Sequence, residues 1–110
     1  MARIDTYLGN LDRHHARGLV LTSGQPIKLE LAGDELKLLR KSCSADEILT
    51  LVHELMDTEQ RRQFVVEAEV RFAYRSPQVG PVTVDVIRHG DQVRCEIRRA
   101  RGTREAVEST

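Results

Sequence analysis

Apolar residues recur in two rhythms along this 110-residue chain, and the switches between those rhythms divide it into elements. Ile4, Leu8, Leu11 and His15 fall at three- and four-residue steps, with Tyr7 beside them and Asp5, Asp12 and Arg13 facing elsewhere, which predicts an opening amphipathic helix. After Gly18 the rhythm shortens. Leu19 to Thr22 reads as a strand, Ser23-Gly24-Gln25-Pro26 as a turn, and Ile27, Leu29 and Leu31 alternate with Lys28 and Glu30 in a second strand. Glu35 to Leu39 fits either a third short strand or a turn of helix. Ser44-Ala45-Asp46-Glu47 is a capping box, and Ile48, Leu51, Val52, Leu55 and Met56 form the stripe of a central helix. A shorter helix restarts at Asp57 or Thr58 and runs through Phe64.

The two-residue rhythm then returns. Val66, Ala68, Val70, Phe72 and Tyr74 alternate with polar residues, and the pattern places Glu67 and Glu69 on the exposed face of one strand. Ser76 to Pro81 is a loop, Val82, Val84 and Val86 mark the next strand, and His89-Gly90-Asp91 a tight turn. Val93, Cys95 and Ile97 mark the last strand. Connections this short exclude parallel crossovers. The expected fold is therefore α+β: an antiparallel sheet of about five to six strands with helices packed on one face. Residues 1–99 form one domain in this reading, and residues 100–110 a flexible basic and polar tail.

A hydrophobic share of 40% with 31% charged residues is the mix of a folded domain. Seventeen basic and seventeen acidic side chains cancel, so general nucleic-acid binding is not expected. No apolar run is long enough to span a bilayer and no signal-peptide core opens the chain, so a cytoplasmic protein without membrane insertion is expected. The zero total conceals a split. Residues 44–69 carry seven acids against two arginines, and residues 88–104 carry six arginines against two acids.

Candidate chemistry is sparse. There is no phosphate-binding Gly-Lys-Ser or Gly-Lys-Thr loop, no Gly-x-Ser-x-Gly and no Cys-x-x-Cys. His14 and His15 are adjacent, so a helix points them apart, and His53 lacks the second histidine of a zinc-protease helix. Cys43 precedes the central helix, where a thiol's pKa can be lowered, but no histidine stands near it in sequence. It reads as a small buried thiol, and Cys95 as a packing residue on the core-facing phase of its strand. No enzyme, cofactor or metal is expected.

One family resemblance joins these segments. Ala16 to Pro26, followed by Leu29-Glu30-Leu31-Ala32-Gly33, resembles the opening hairpin of the N-terminal domain of type IV pilus retraction ATPases, within the secretion ATPase superfamily. Ile48 to Phe64 is similar to that domain's paired helices. Glu69 to Tyr74, Val79-Gly80 and Val82 to Arg88 resemble its closing strands. The resemblance implies a PAS-like domain that, in the family, precedes a motor domain and packs on a neighbouring subunit's motor in a hexameric ring. This chain departs from the family at its polar positions. Gly18 and Val20 stand where an acid and a histidine are usual, and Glu30 where an arginine is. Pro81-Val82-Thr83 replaces Arg-Phe-Arg, and Arg99-Ala100-Arg101-Gly102 replaces an Ile-Pro linker. By this resemblance Arg88 alone matches the basic residues that reach towards nucleotide, and these 110 residues do not include the motor.

The apolar scaffold is kept while nucleotide-facing groups are lost. The expected function is a non-catalytic protein-interaction module, an adaptor or regulator acting with pilus, secretion or cell-polarity machinery or associating with itself. A PAS-like small-ligand sensor and an N-terminal fragment of a divergent retraction ATPase are the alternatives. The expected surface comprises Arg88, Arg94, Glu96, Arg98, Arg99 and Arg101, with Arg94, Glu96 and Arg98 outward beside an open sheet edge. Glu54 and Glu59, on the acidic rim of the central helices, are its electrostatic counterpart.

Overall fold

Six segments with apolar residues at alternate positions become six strands of one antiparallel sheet. The computed structural model describes residues 3–99. Its elements run α1 (Ile4–Arg13), β1 (Gly18–Thr22), β2 (Pro26–Glu30), β3 (Leu36–Ser42), α2 (Ala45–His53), α3 (Thr58–Glu67), β4 (Glu69–Ser76), β5 (Gly80–His89) and β6 (Gln92–Arg99). A single 3-10 turn, Ala32–Asp34, joins β2 to β3. The sheet order is β3-β2-β1-β6-β5-β4.

Two meanders of three strands therefore lie side by side. Their seam is the antiparallel pair β1–β6, in register from Gly18 opposite Arg98 to Thr22 opposite Arg94. The chain leaves the first meander at one edge of the sheet and enters the second at the other. The pair α2 and α3 carries it across.

The α+β expectation holds, with one layer of helices on one face of the sheet. Leu19, Leu21, Ile27, Leu29, Val70, Phe72, Val84, Val86, Cys95 and Ile97 point into that layer and meet Ile4, Leu8, Leu11, Ile48, Val52 and Phe64. The capping box at Ser44 forms as read: Glu47 N–H donates to Ser44 Oγ at 3.1 Å and Ser44 N–H to the Glu47 carboxylate at 2.8 Å. Asp57 and Gln60 make a second box ahead of α3.

The choice open at Leu36 resolves to a strand of seven residues. Four local expectations are corrected. Helix α2 ends at His53, so Leu55 and Met56 follow it instead of completing its stripe. Helix α3 continues to Glu67, so Val65 and Val66 are exposed helical residues and Glu67 shares no strand face with Glu69. Ala68 ends that helix at φ 63°, the left-handed conformation that reverses the chain into β4. Helix α1 stops at Arg13, and His15 adopts φ 55° outside its stripe. Asp5, expected on the polar side of α1, is 1% exposed.

Candidate interaction surface

The face of the sheet away from the helices is built of charged residues in register. One row runs Lys28, Val20, Glu96, Asp85 and Arg71 across five strands, and the next runs Glu30, Gly18, Arg98, Thr83 and Ala73. Arg94, Glu96 and Arg98 all project here, as their alternation with Val93, Cys95 and Ile97 requires. The open edge expected beside them is not there. Strand β6 lies inside the sheet, hydrogen-bonded to β1 on one side and β5 on the other. Sequence adjacency at the end of the chain suggested an edge; the long-range pairing with β1 removes it.

The arginine charge in β6 is matched by an acid of β2, an acid of α1 and an acid of β6 itself. Arg98 binds Glu30 with both Nε and a terminal nitrogen, at 3.1 and 3.3 Å, and approaches Glu96 at 3.4 Å. That pairing holds the Glu30 carboxyl below its usual range and raises the Arg98 guanidinium. Arg94 meets Glu96 at 2.7 Å, and Arg71 meets Asp85 at 2.9 Å. Arg99 turns to the helix side, where it binds Asp12 at 2.6 Å and donates to the Ala16 carbonyl at 3.1 Å. Arg88 lies over the Phe64 ring, 5.9 Å from its centroid. Arg101 lies outside the described residues.

The acids on the opposite layer are also engaged in part. Glu54 receives both the backbone N–H and the guanidinium of Arg3, which fastens the start of α1 to the end of α2. Glu59 pairs with Arg62 one turn along α3. The structure thus divides the expected surface. It brings Arg94, Glu96 and Arg98 together on the open face and places Arg88, Arg99, Glu54 and Glu59 in the helix layer or at its rim.

Among the described cations with no carboxylate within ion-pair distance, four lie close together towards one edge of the sheet: Lys28 on β2, and Lys37, Arg40 and Lys41 on β3. Strand β3 is an outer strand, and it also exposes Leu36 and Leu38. Sequence reasoning passed over this segment because its element type was undecided. The available signal was a basic and apolar alternation, Leu36-Lys37-Leu38 followed by Arg40-Lys41, with too few apolar positions for two buried faces.

Two hollows flank these surfaces. A groove of about 380 Å³ between α1 and α2 is lined by Arg3, Thr6, Tyr7, Asp46, Glu47 and Thr50. A second, of about 390 Å³, lies at the start of β1 beside Arg17, Glu30, Asp34, Arg98 and Arg99, whose arginines are already bonded to Asp34, Glu30 and Asp12. Among the described residues no cluster of histidine, cysteine, aspartate or glutamate is placed to hold a metal ion. Cys43 is buried, and burial pushes its thiol up despite the adjacent helix N-terminus. Among the same residues no helix is long and apolar enough to cross a membrane.

No protein-family model matches the chain, and no curated protein matches it significantly. Solved structures do. The pilus retraction motor PilT, solved with bound ADP, superposes with a TM-score of 0.78 at 20% identity over 89% of this chain. The ATPase DotB of Legionella pneumophila superposes with a TM-score of 0.63 at 15% identity over 90% of it. The chain spans 29% and 30% of those two proteins respectively. At such identities the likeness is one of fold, and it extends over nearly all the described residues.

Proposed function

We propose that this domain is a non-catalytic protein-interaction module, an adaptor or regulator that works with pilus-type motility or secretion machinery. The observation that carries the reading is the fold likeness to PilT, a pilus retraction motor, over 89% of the chain. The character of the surface supports it. The described residues present salt-bridged faces, an exposed strand edge and thiols withdrawn into the core.

In this reading the domain works in the cytoplasm, where it meets its partner or a second copy of itself. Affinity capture from its own cells, under crosslinking, is expected to recover a pilus, secretion or cell-polarity protein. Recovery of none overturns the reading. The fold likeness equally supports an N-terminal piece of a divergent retraction ATPase, which an uninterrupted reading frame into a motor domain would establish. The groove between α1 and α2 supports a small-ligand sensor, which a thermal-shift screen without any stabilising metabolite would eliminate.

A further inference from the structure

An outer strand presents unpaired backbone donors and acceptors, and proteins usually blunt such edges with short strands, bulges or lysines. The two outer strands here differ. In β4, Phe72 is buried in the core and Arg71 is engaged by Asp85 of the neighbouring strand. In β3, Leu36 and Leu38 are 58% and 60% exposed, on the same face as Glu30 and Lys28 opposite them. Leu39, between them and Arg40, is the residue of β3 that packs on the core. The register irregularity between β2 and β3 lies towards Ser42, so Leu36, Lys37 and Leu38 keep regular pairing with Glu30, Leu29 and Lys28.

Charge decides what can pair there. Lys37 and Arg40 have no carboxylate within ion-pair distance among the described residues, Lys41 turns towards Tyr7 and Glu47, and Lys28 lies one strand inward. Pairing β3 with a second copy would bring two strands side by side that each carry Lys37, Arg40 and Lys41 and no acid, and that like charge opposes self-association. An acidic strand meets no such penalty. Its alternate side chains would lie beside Leu36 and Leu38 on the open face, and its carboxylates beside Lys37 on the other.

We propose that the free edge of β3 takes an extended acidic segment of a partner polypeptide as a seventh strand, one that alternates apolar and carboxylate side chains. The proposal rests on the interaction-module reading and names the surface and the chemistry of the partner. Backbone pairing supplies the affinity; Leu36, Leu38 and the cations Lys37 and Arg40 supply the selection.

The test is a nuclear magnetic resonance titration of the full chain with a ten-residue peptide alternating valine and glutamate. Expected are amide shifts and added exchange protection confined to β3, weakened by salt. The double variant Lys37→Glu with Arg40→Glu should bind this peptide about five- to tenfold more weakly, and should take up the matching valine–lysine peptide instead. All the altered side chains are exposed, so the fold is retained. The proposal is overturned if β3 amides do not respond, if the lysine peptide binds the unaltered chain equally well, or if polyglutamate without valine matches the alternating peptide. A dimer seen by light scattering and lost in Leu38→Asp overturns it in favour of a second copy. A captured cellular partner whose binding ignores the double variant overturns the edge and leaves the module reading standing. Failure to capture any partner, with peptide binding intact, overturns the module reading alone.

Discussion

Glu30 and Arg98 form their ion pair directly across Gly18, whose Cα lies between theirs on the intervening strand β1. A Cβ on residue 18 would stand 2.8 Å from Glu30 Oε1, 3.1 Å from Arg98 Cγ and 3.1 Å from the Ile97 carbonyl oxygen. The glycine is a matter of space, because its φ is not in the left-handed region. The charged bridge requires the empty position beneath it.

Gly18→Ala is therefore expected to destabilise the fold by about 1–3 kcal/mol, the usual cost of overpacking. Adding Glu30→Ala removes the tightest contact and should recover part of that loss. Chemical denaturation of the two single variants and the double variant measures the coupling. Strictly additive effects would show that the methyl group and the bridge do not compete.

Asp5 is buried and accepts from two hydroxyls, Tyr74 at 2.8 Å and Ser76 at 2.5 Å, which lock α1 to the end of β4. Burial, and then the hydrogen bond and charge of Asp5, push the Tyr74 phenol up to about 12 from an ordinary value of 10.0. A raised folded-state pKa means that the unfolded chain gives up its proton first. The stabilisation is complete below pH 10 and is lost as pH rises through about 12. Ultraviolet titration of tyrosinate should show this late step, and Asp5→Ala should move it down. The same variant leaves two hydroxyls without their acceptor and should cost about 1–3 kcal/mol.

Ala68 occupies the left-handed position after α3, where a Cβ is unfavourable. Ala68→Gly should stabilise the protein by about 1 kcal/mol, seen as a raised midpoint of thermal or chemical unfolding. An unchanged or lowered midpoint would mean that the methyl group's packing outweighs the backbone strain.

Cys95 sits mid-sheet between Leu21 and Val86, and its thiol is pushed strongly upward by burial. Cys43 is raised for the same reason. Native protein should therefore react with a thiol reagent only at the rate of its opening, and with both cysteines together in denaturant. Fast native labelling of Cys43 would show that the junction of β3 and α2 opens on its own.

Local chemistry was readable in the sequence wherever neighbours in the chain decide the outcome. The box at Ser44, the stripe of Ile48, Leu51 and Val52 and the alternation from Val82 to Ile97 all appear as their spacing dictates, because caps and periodicity act over a few residues. What escaped depends on partners far along the chain. Asp5 looked solvated because its acceptor role depends on hydroxyls 69 and 71 residues away. Strand β6 looked like an edge because nothing in its own residues announces β1. Its arginines looked like a free basic patch because Glu30, Asp12 and the strand order that aligns them were hidden. The exposed cations of β3 went unweighted since the choice between strand and helical turn was still open.

The β1–β6 seam also sets the order in which the chain can assemble. Within each meander, successive strands are joined by short turns, so those hairpins close cheaply and early. The seam joins residues as far apart as Gly18 and Arg98, and it must wait until the crossing helices have brought the two meanders edge to edge. Trimming Ile97 to valine, at the seam opposite Leu19, should consequently speed unfolding far more than it slows folding. A chain built this way holds itself shut by its last step, and its lifetime in the folded state is governed by how tightly two ready-made halves are zipped.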